Sequence, residues 1–506
     1  MLVTGETGFE VDSSVKTSGV VSCRGFRGNA SEVFPLRETP PRSYSFQMLN
    51  VIDFIHTSRD RYISELKDYL AIPSISALPD HKEDVKRCAQ WTADEMKRIG
   101  LDNVRLIETP GNPAVYGDWL SAGPSAPTIL FYGHYDVQPV DPVDLWESPP
   151  FEATVRDGEI YARGAADDKG QIFMHFKAIE AHLKKAGSLP VNIKLLIEGE
   201  EEVGSAHLDD LIRANKPLLS ADVVVISDSA MFDHGVPSIC YSLRGLVYFQ
   251  IDVRGTKSDL HSGVFGGAVA NPAMVLSQIL AQMKDRGGRI KIPGFYDHVR
   301  PLSDDERAAW KTLPFNEKKY RKDLGAPKLF GESGYTTLER AWARPTFEVN
   351  GLLSGFTGEG AKTVIPAVAM AKVSMRLVPD QHPDTIGKLF DAYVRKIAPK
   401  TVELTVTRMS GGKPWITDYD NPFIQAAARA IEQGFGKTPV FCREGGSIPV
   451  VSTFQEEMGV PTVLFGVGLP DENAHAPNER LDLVNFHNGV VASAILYDEI
   501  GKISRA

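Results

Sequence analysis

Apolar residues recur at helical spacing early in the chain. Val51, Ile52, Phe54, Ile55, Tyr62, Ile63, Leu66 and Tyr69 form one stripe, and the run stops before Pro73, which cannot continue a helical hydrogen-bond ladder. A second helical stretch covers residues 84–99. The pattern then changes to short, continuous apolar runs bounded by turn residues, at 128–132, 191–197, 223–226 and 463–465. Runs of this length without alternation predict strands buried on both faces. Residues 170–186 lie between the first two, with Ile172, Phe173, Phe176, Ile179 and Leu183 at helical period. Strand, helix, strand in this order predicts a βαβ unit in a doubly wound, mostly parallel α/β sheet.

The character changes again over residues 241–411. Residues 248–253 and 373–377 alternate like half-buried strands, 272–283 reads as a helix, and a further helix and strand follow. The order β-α-β-α-β predicts a smaller, ferredoxin-like α+β domain inserted into the larger one. The expected division is therefore 48–240 and 412–506 for the large domain and 241–411 for the insert. Residues 1–47 mix Ser, Gly, Thr and Pro with charges of both signs, without period, and read as a disordered extension ahead of Met48.

Composition narrows the function. The 506 residues are 42% hydrophobic and 24% charged, which fits globular domains. The net charge of −10, with no basic stripe, excludes nucleic acid as an expected partner. No apolar run is long enough to cross a membrane, and the first residues lack a secretory pattern. Cys23, Cys88, Cys240 and Cys442 are scattered and form no C-x-x-C pair, as suits reduced thiols in a cytoplasm.

The apolar runs lead directly into acids and histidines: Gly133-His134-Tyr135-Asp136, Glu200-Glu201-Glu202, Ser227-Asp228 and, further on, Ala474-His475-Ala476. Asp167-Asp168 immediately precedes the helix. Ligands gather beyond the carboxyl ends of strands in open α/β sheets, so these groups are expected to converge. Singly, each has an ordinary explanation: Asp167 or Asp228 as a helix cap, the glutamates as a solvated turn, His475 as a surface histidine. Jointly, carboxylates and imidazoles at one place require a cation, and the ligand mixture suits Zn²⁺ or Mn²⁺. A pair of such ions sharing one carboxylate is the simplest arrangement, with a further carboxylate to move a proton.

The motifs Gly133-His134-Tyr135-Asp136-Val137-Gln138-Pro139, Arg163-Gly164-Ala165-Ala166-Asp167-Asp168-Lys169-Gly170, Glu198-Gly199-Glu200-Glu201-Glu202-Val203-Gly204-Ser205, Asp259-Leu260-His261-Ser262-Gly263, Lys413-Pro414-Trp415 and Arg443-Glu444-Gly445-Gly446-Ser447-Ile448-Pro449 carry a resemblance. From about Met48 onward the chain resembles the M20 family of metallopeptidases, in particular its cytosolic non-specific dipeptidase and carnosinase-like branch. The resemblance implies two divalent ions per subunit, with Asp167 bridging, His134 and Asp228 completing one site, and Glu202 and His475 the other. It makes Glu201 the general base and Asp136 the residue that orients His134. Three consecutive glutamates permit a register slip, and Glu201 is assigned by alignment of the flanking Glu198-Gly199 and Gly204-Ser205. The resemblance further implies that His261, Thr363, Arg376 and Ser447 contact substrate, Arg376 through a terminal carboxylate. It also implies that the insert is a lid and dimerisation domain of a homodimer. Ser410 precedes Gly411 where carnosinase-like members carry a histidine, which argues against carnosine preference. The expected reaction is hydrolysis of the amide bond of dipeptides or short peptides. The alternatives are an N-acyl amino acid deacylase of the aminoacylase or desuccinylase type and a silent scaffold, which the complete ligand set disfavours.

Overall fold

The computed structural model describes residues 44–446 and 448–504. Most of the predicted N-terminal extension, residues 1–43, lies outside the described residues. Ser45 caps the first helix, Phe46–Thr57, by accepting a hydrogen bond from the Met48 amide (3.2 Å), so the helix begins two residues before Met48. The long helical run expected up to Pro73 is two helices, Phe46–Thr57 and Arg59–Leu70, separated at Ser58.

The four apolar runs are the middle of a nine-stranded sheet, in the spatial order Asn192–Glu198, Thr128–His134, Val223–Ile226, Thr462–Leu464. These four are mutually parallel and buried along their whole length. Alternate side chains enter two different cores. Ile129, Phe131, Val223, Val225 and Val463 pack with the helices Lys169–Lys185 and Leu483–Gly501. Leu130, Tyr132, Val224, Ile226 and Leu464 pack with Leu211 and Phe454 from helices on the opposite face. Helices on both faces make this a doubly wound sheet. Toward its edges the sheet turns antiparallel, through Asp102–Ile107 and Ala114–Trp119 on one side and Ser238–Leu243 with Trp415–Ile416 on the other.

A second, four-stranded antiparallel sheet has the order Thr346–Ser354, Val368–Leu377, Gly245–Arg254, Glu403–Gly412. Val247, Phe249, Ile251 and Val253 alternate onto one face, where they meet Leu276 and Ile279 of the helix Pro272–Ala281 and Ile386, Phe390 and Val394 of Pro383–Ile397. The chain order is β-α-β-β-α-β, the ferredoxin-like arrangement, with one strand more than the sequence pattern suggested. That strand, Thr346–Ser354, has a single buried position. The chain leaves the large sheet after Leu243 and returns at Trp415. At this crossing Gly245 is required by close approach, since a Cβ there would lie 2.5 Å from Pro414 N and 2.7 Å from Gly412 O.

Candidate metal centre

The carboxyl ends of the central parallel strands converge on one cluster. His134 is the last residue of its strand and is fully buried. Asp228 follows the end of Val223–Ile226 by two residues, Glu202 lies in the turn after Asn192–Glu198, and Asp167 immediately precedes the first cap of Lys169–Lys185. His475 comes from the loop after Thr462–Leu464 and holds a left-handed backbone, φ 63°. A non-glycine residue seldom adopts that conformation, and such positions concentrate at functional sites.

Asp167 is the centre of the cluster. Its Oδ1 lies 3.0 Å from His134 Nε2, and its Oδ2 lies 2.9 Å from His475 Nε2. Glu202 Oε2 is 3.2 Å from the same His475 nitrogen, and Asp228 Oδ2 is 4.0 Å from His134 Nε2. Two three-residue groups result, His134 with Asp167 and Asp228, and Asp167 with Glu202 and His475, each offering ligand atoms within 4.8 Å of one another. One carboxylate shared through its two oxygens is the donor set of a two-ion site, so the residues present fit a pair of divalent cations.

The electrostatics point the same way. Burial, then repulsion from Asp167 and Asp168, pushes the Asp228 carboxyl well above the usual range. Burial disfavours charge on His134, yet the Asp136 and Asp167 carboxylates outweigh it and raise the imidazole. Hydrogen bonds to Asp167 and Glu202 push His475 up to about 10 against the effect of burial. The carboxylates around the two nitrogens that face Asp167 thus favour positive charge there, which a pair of cations would supply.

The three consecutive glutamates separate by their contacts. Glu200 turns to His207 Nδ1 (2.8 Å) and Glu202 joins the cluster, where Gln138 Nε2 also donates to its carboxylate (2.7 Å). Glu201 lies between them in sequence and belongs to neither ligand group. Burial pushes its carboxyl up to about 6, a value suited to proton transfer near neutral pH. Asp136 links the elements: its backbone carbonyl lies 3.1 Å from His134 Nδ1, and its carboxylate accepts from the Glu201 and Glu202 amides (3.3 and 3.2 Å). Holding Nδ1 in this way leaves Nε2 toward Asp167.

Two supports were not visible in the sequence. Gly133 admits the helix Lys169–Lys185 against the strand, since a Cβ there would lie 2.1 Å from Ile172 Cγ2 and 2.6 Å from Asp168 Oδ2. Glu479, buried completely, accepts four hydrogen bonds from the segment that carries Asp167. Nothing local to Glu479 in the sequence marks it as the partner of this segment.

Of the expected substrate residues, His261, Thr363 and Arg376 lie in the insert, and none of these three belongs to either ligand group. His261 and Thr363 are exposed and come together on a small ribbon, where Leu260–His261 pairs with Val364–Ile365 and the Ser262 amide donates to Thr363 O (3.1 Å). Arg376 lines a cavity of about 530 Å³ with Arg244, Arg340, Glu348 and Ser374. Arg244 Nε reaches Gly445 O (3.1 Å) and its amide donates to Gly446 O (3.1 Å). Ser447, next in the chain, lies outside the described residues.

Comparison with known proteins agrees with this geometry. Residues 130–497 match peptidase family M20/M25/M40. A Cys-Gly metallodipeptidase of Schizosaccharomyces pombe is 35% identical over 467 residues, covering 89% of this chain and 98% of its own. The human Beta-Ala-His dipeptidase is 32% identical, covering 90% and 92% of the two chains. The crystal structure of human carnosine dipeptidase 1 superposes with a TM-score of 0.78 at 32% identity, covering 92% of this chain and all of that one. Similarity that runs nearly end to end, over a fold and a ligand cluster built as described, means that the chain belongs to peptidase family M20/M25/M40.

Proposed function

We propose that the protein is a metal-dependent dipeptidase that hydrolyses the amide bond of dipeptides or short peptides. The observation that carries this is Asp167 facing His134 with one oxygen and His475 with the other, at 3.0 and 2.9 Å. His134, Asp167 and Asp228 would hold one divalent ion, and Asp167, Glu202 and His475 the other; Zn²⁺ or Mn²⁺ suits these donors. When bound, the pair supplies Lewis acidity toward the scissile carbonyl and acidifies a water. Glu201, outside both ligand groups, is the base that would take a proton from the attacking water and deliver it to the leaving amine. Asp136 keeps His134 in the tautomer that presents Nε2.

Arg376 grips the substrate's terminal carboxylate through its planar fork, with Ser447, Thr363 and His261 as further contacts. Residues 241–411 serve as lid and dimerisation domain in a homodimer, and His261 reaches the site of the second copy. Exposed Val349, Leu352 and Leu353 on the outermost strand Thr346–Ser354 support a covered edge in the assembly. A cytoplasmic location is supported by the free, buried thiols of Cys88, Cys240 and Cys442. Among the described residues no helix is long and apolar enough to cross a membrane. The test is hydrolysis of a dipeptide panel beside N-acetyl and N-succinyl amino acids, with protein stripped of metal and reloaded with Zn²⁺ or Mn²⁺. Metal-dependent cleavage of free dipeptides is expected; preference for the acylated amino acids, or silence on both sets, overturns the proposal.

A further inference from the structure

Glu479 lies four residues beyond His475 and 312 residues from Asp167, yet its carboxylate is where the loops bearing these two residues meet. Oε2 accepts from Arg163 Nη1 (2.6 Å) and the Gly164 amide (3.0 Å); Oε1 accepts from the amides of Ala166 (2.9 Å) and Asp167 (3.0 Å). The backbone carbonyl of Glu479 accepts from the Ala162 amide as well (3.1 Å). Both side chains of the Arg163–Glu479 pair are buried, at 1% and 0% exposure.

Each carboxylate oxygen therefore receives two donors, and three amides of one loop curve around a buried anion as an anion-binding nest. The Asp167 amide is one of the donors, so the backbone that carries the shared carboxylate cannot move without breaking a bond to Glu479. On the other side, Asn473, His475 and Asn478 all take left-handed φ, at 58°, 63° and 62°. The Ala476 amide closes this turn onto Asn473 O (2.8 Å). Glu479 ends that compact loop and so couples the position of His475 to that of Asp167. His134 and Asp228, by contrast, sit at the ends of central strands that Glu479 does not bond.

We propose that Glu479 is a positioning residue that locks the Asp167 loop to the His475 loop and sets the affinity of the metal site formed by Asp167, Glu202 and His475. The site completed by His134 and Asp228 depends on it less. The inference rests on the two-ion reading above.

The test is a titration of metal-stripped, full-length protein with Zn²⁺ in competition with a chromophoric chelator, comparing wild type with Glu479→Gln. The amide keeps the shape but turns N–H donors toward N–H donors, so part of the nest is lost. Loss of such an outer partner typically weakens a metal site by about 10–100-fold. The expected result is one binding step weakened by that factor, the other close to wild type, and metal content falling toward one ion per chain at limiting Zn²⁺. Glu479→Asp keeps the charge, withdraws the carboxylate by one methylene and gives the same split in smaller measure; it carries the test if the glutamine variant does not fold. A purely structural role would lower the thermal midpoint of the metal-free chain and weaken both steps alike. That pattern, or two unweakened steps in a folded variant, overturns the inference while leaving the two-ion reading intact. A wild-type chain that binds no divalent ion would overturn both.

Discussion

The two halves of the proposed site are built in opposite ways. The metal-side residues gather where strands buried on both faces end: His134 and Asp228 at strand ends, Glu202 in the turn after one, Asp167 ahead of a helix and the more exposed His475 on a loop. Most are held by neighbours: Asp136 by two amides, Asp167 by Glu479 and two imidazoles. The substrate-side residues His261 and Thr363 sit exposed on a two-residue ribbon, and Arg376 lines an open cavity of the second sheet. On the proposed reading, chemistry that must be held to within tenths of an ångström rests on a hydrogen-bonded backbone that, His475 apart, is largely out of solvent. Contacts that must admit and release a substrate are placed on an element joined to that backbone by two chain crossings beside Gly245.

The largest effect that would test this contrast is the loss of Glu201. Glu201→Gln removes the proton acceptor while leaving both ligand groups whole, so turnover should fall by about 10²–10⁴-fold with metal content unchanged. Measuring kcat beside metal per chain decides it. A parallel loss of metal would mean that Glu201 is a ligand and that Glu202 or Glu200 holds the base position.

His475→Ala should lower both quantities together. His475 supplies one of three donors to its group, so metal content should drop toward one ion per chain, and activity by more than the roughly 10–100-fold typical of outer partners. Retention of two ions would place the second site elsewhere.

On the substrate side, Arg376→Lys keeps the charge but loses the fork. Charge-assisted hydrogen bonds contribute roughly 1.5–3 kcal/mol, so kcat/KM for dipeptides should fall by about 10–100-fold, chiefly through KM, with metal content untouched. An unchanged KM would remove Arg376 from the substrate contacts and leave the cavity it lines without that role.

The same contrast explains what could be read in the chain before its fold was known. Strands 128–132, 191–197, 223–226 and 463–465 were legible because burial on both faces demands unbroken apolar runs, and the acids and histidines that end them stood out against such runs. Ala114–Trp119 was hidden although it is fully buried, because Gly117 and Asp118 interrupt its run; Asp118 is satisfied by Tyr116 Oη (2.8 Å) and Asn103 (2.9 Å). Thr346–Ser354 was hidden for the opposite reason, with one buried position and no alternation to detect. Glu479 was illegible because its significance lies in partners more than 300 positions away.

The smallest effect concerns the rigidity of the metal-side backbone itself. Gly133 precedes His134, and a methyl group at this position would press on Ile172 Cγ2 and Asp168 Oδ2, at 2.1 and 2.6 Å. Ile172 belongs to a helix buried around its first fourteen residues, so it has little room to retreat. Gly133→Ala should therefore destabilise the chain by about 1–3 kcal/mol, the usual cost of overpacking a filled core, read as a lower denaturant midpoint. Because the strand end would shift with respect to Asp167, the first metal site should weaken with it, whereas KM for substrate should not follow. A Gly133→Ala chain with unchanged stability would show that strand and helix separate easily. In that case the difference between a rigid metal side and an adaptable substrate side would be one of solvent exposure alone.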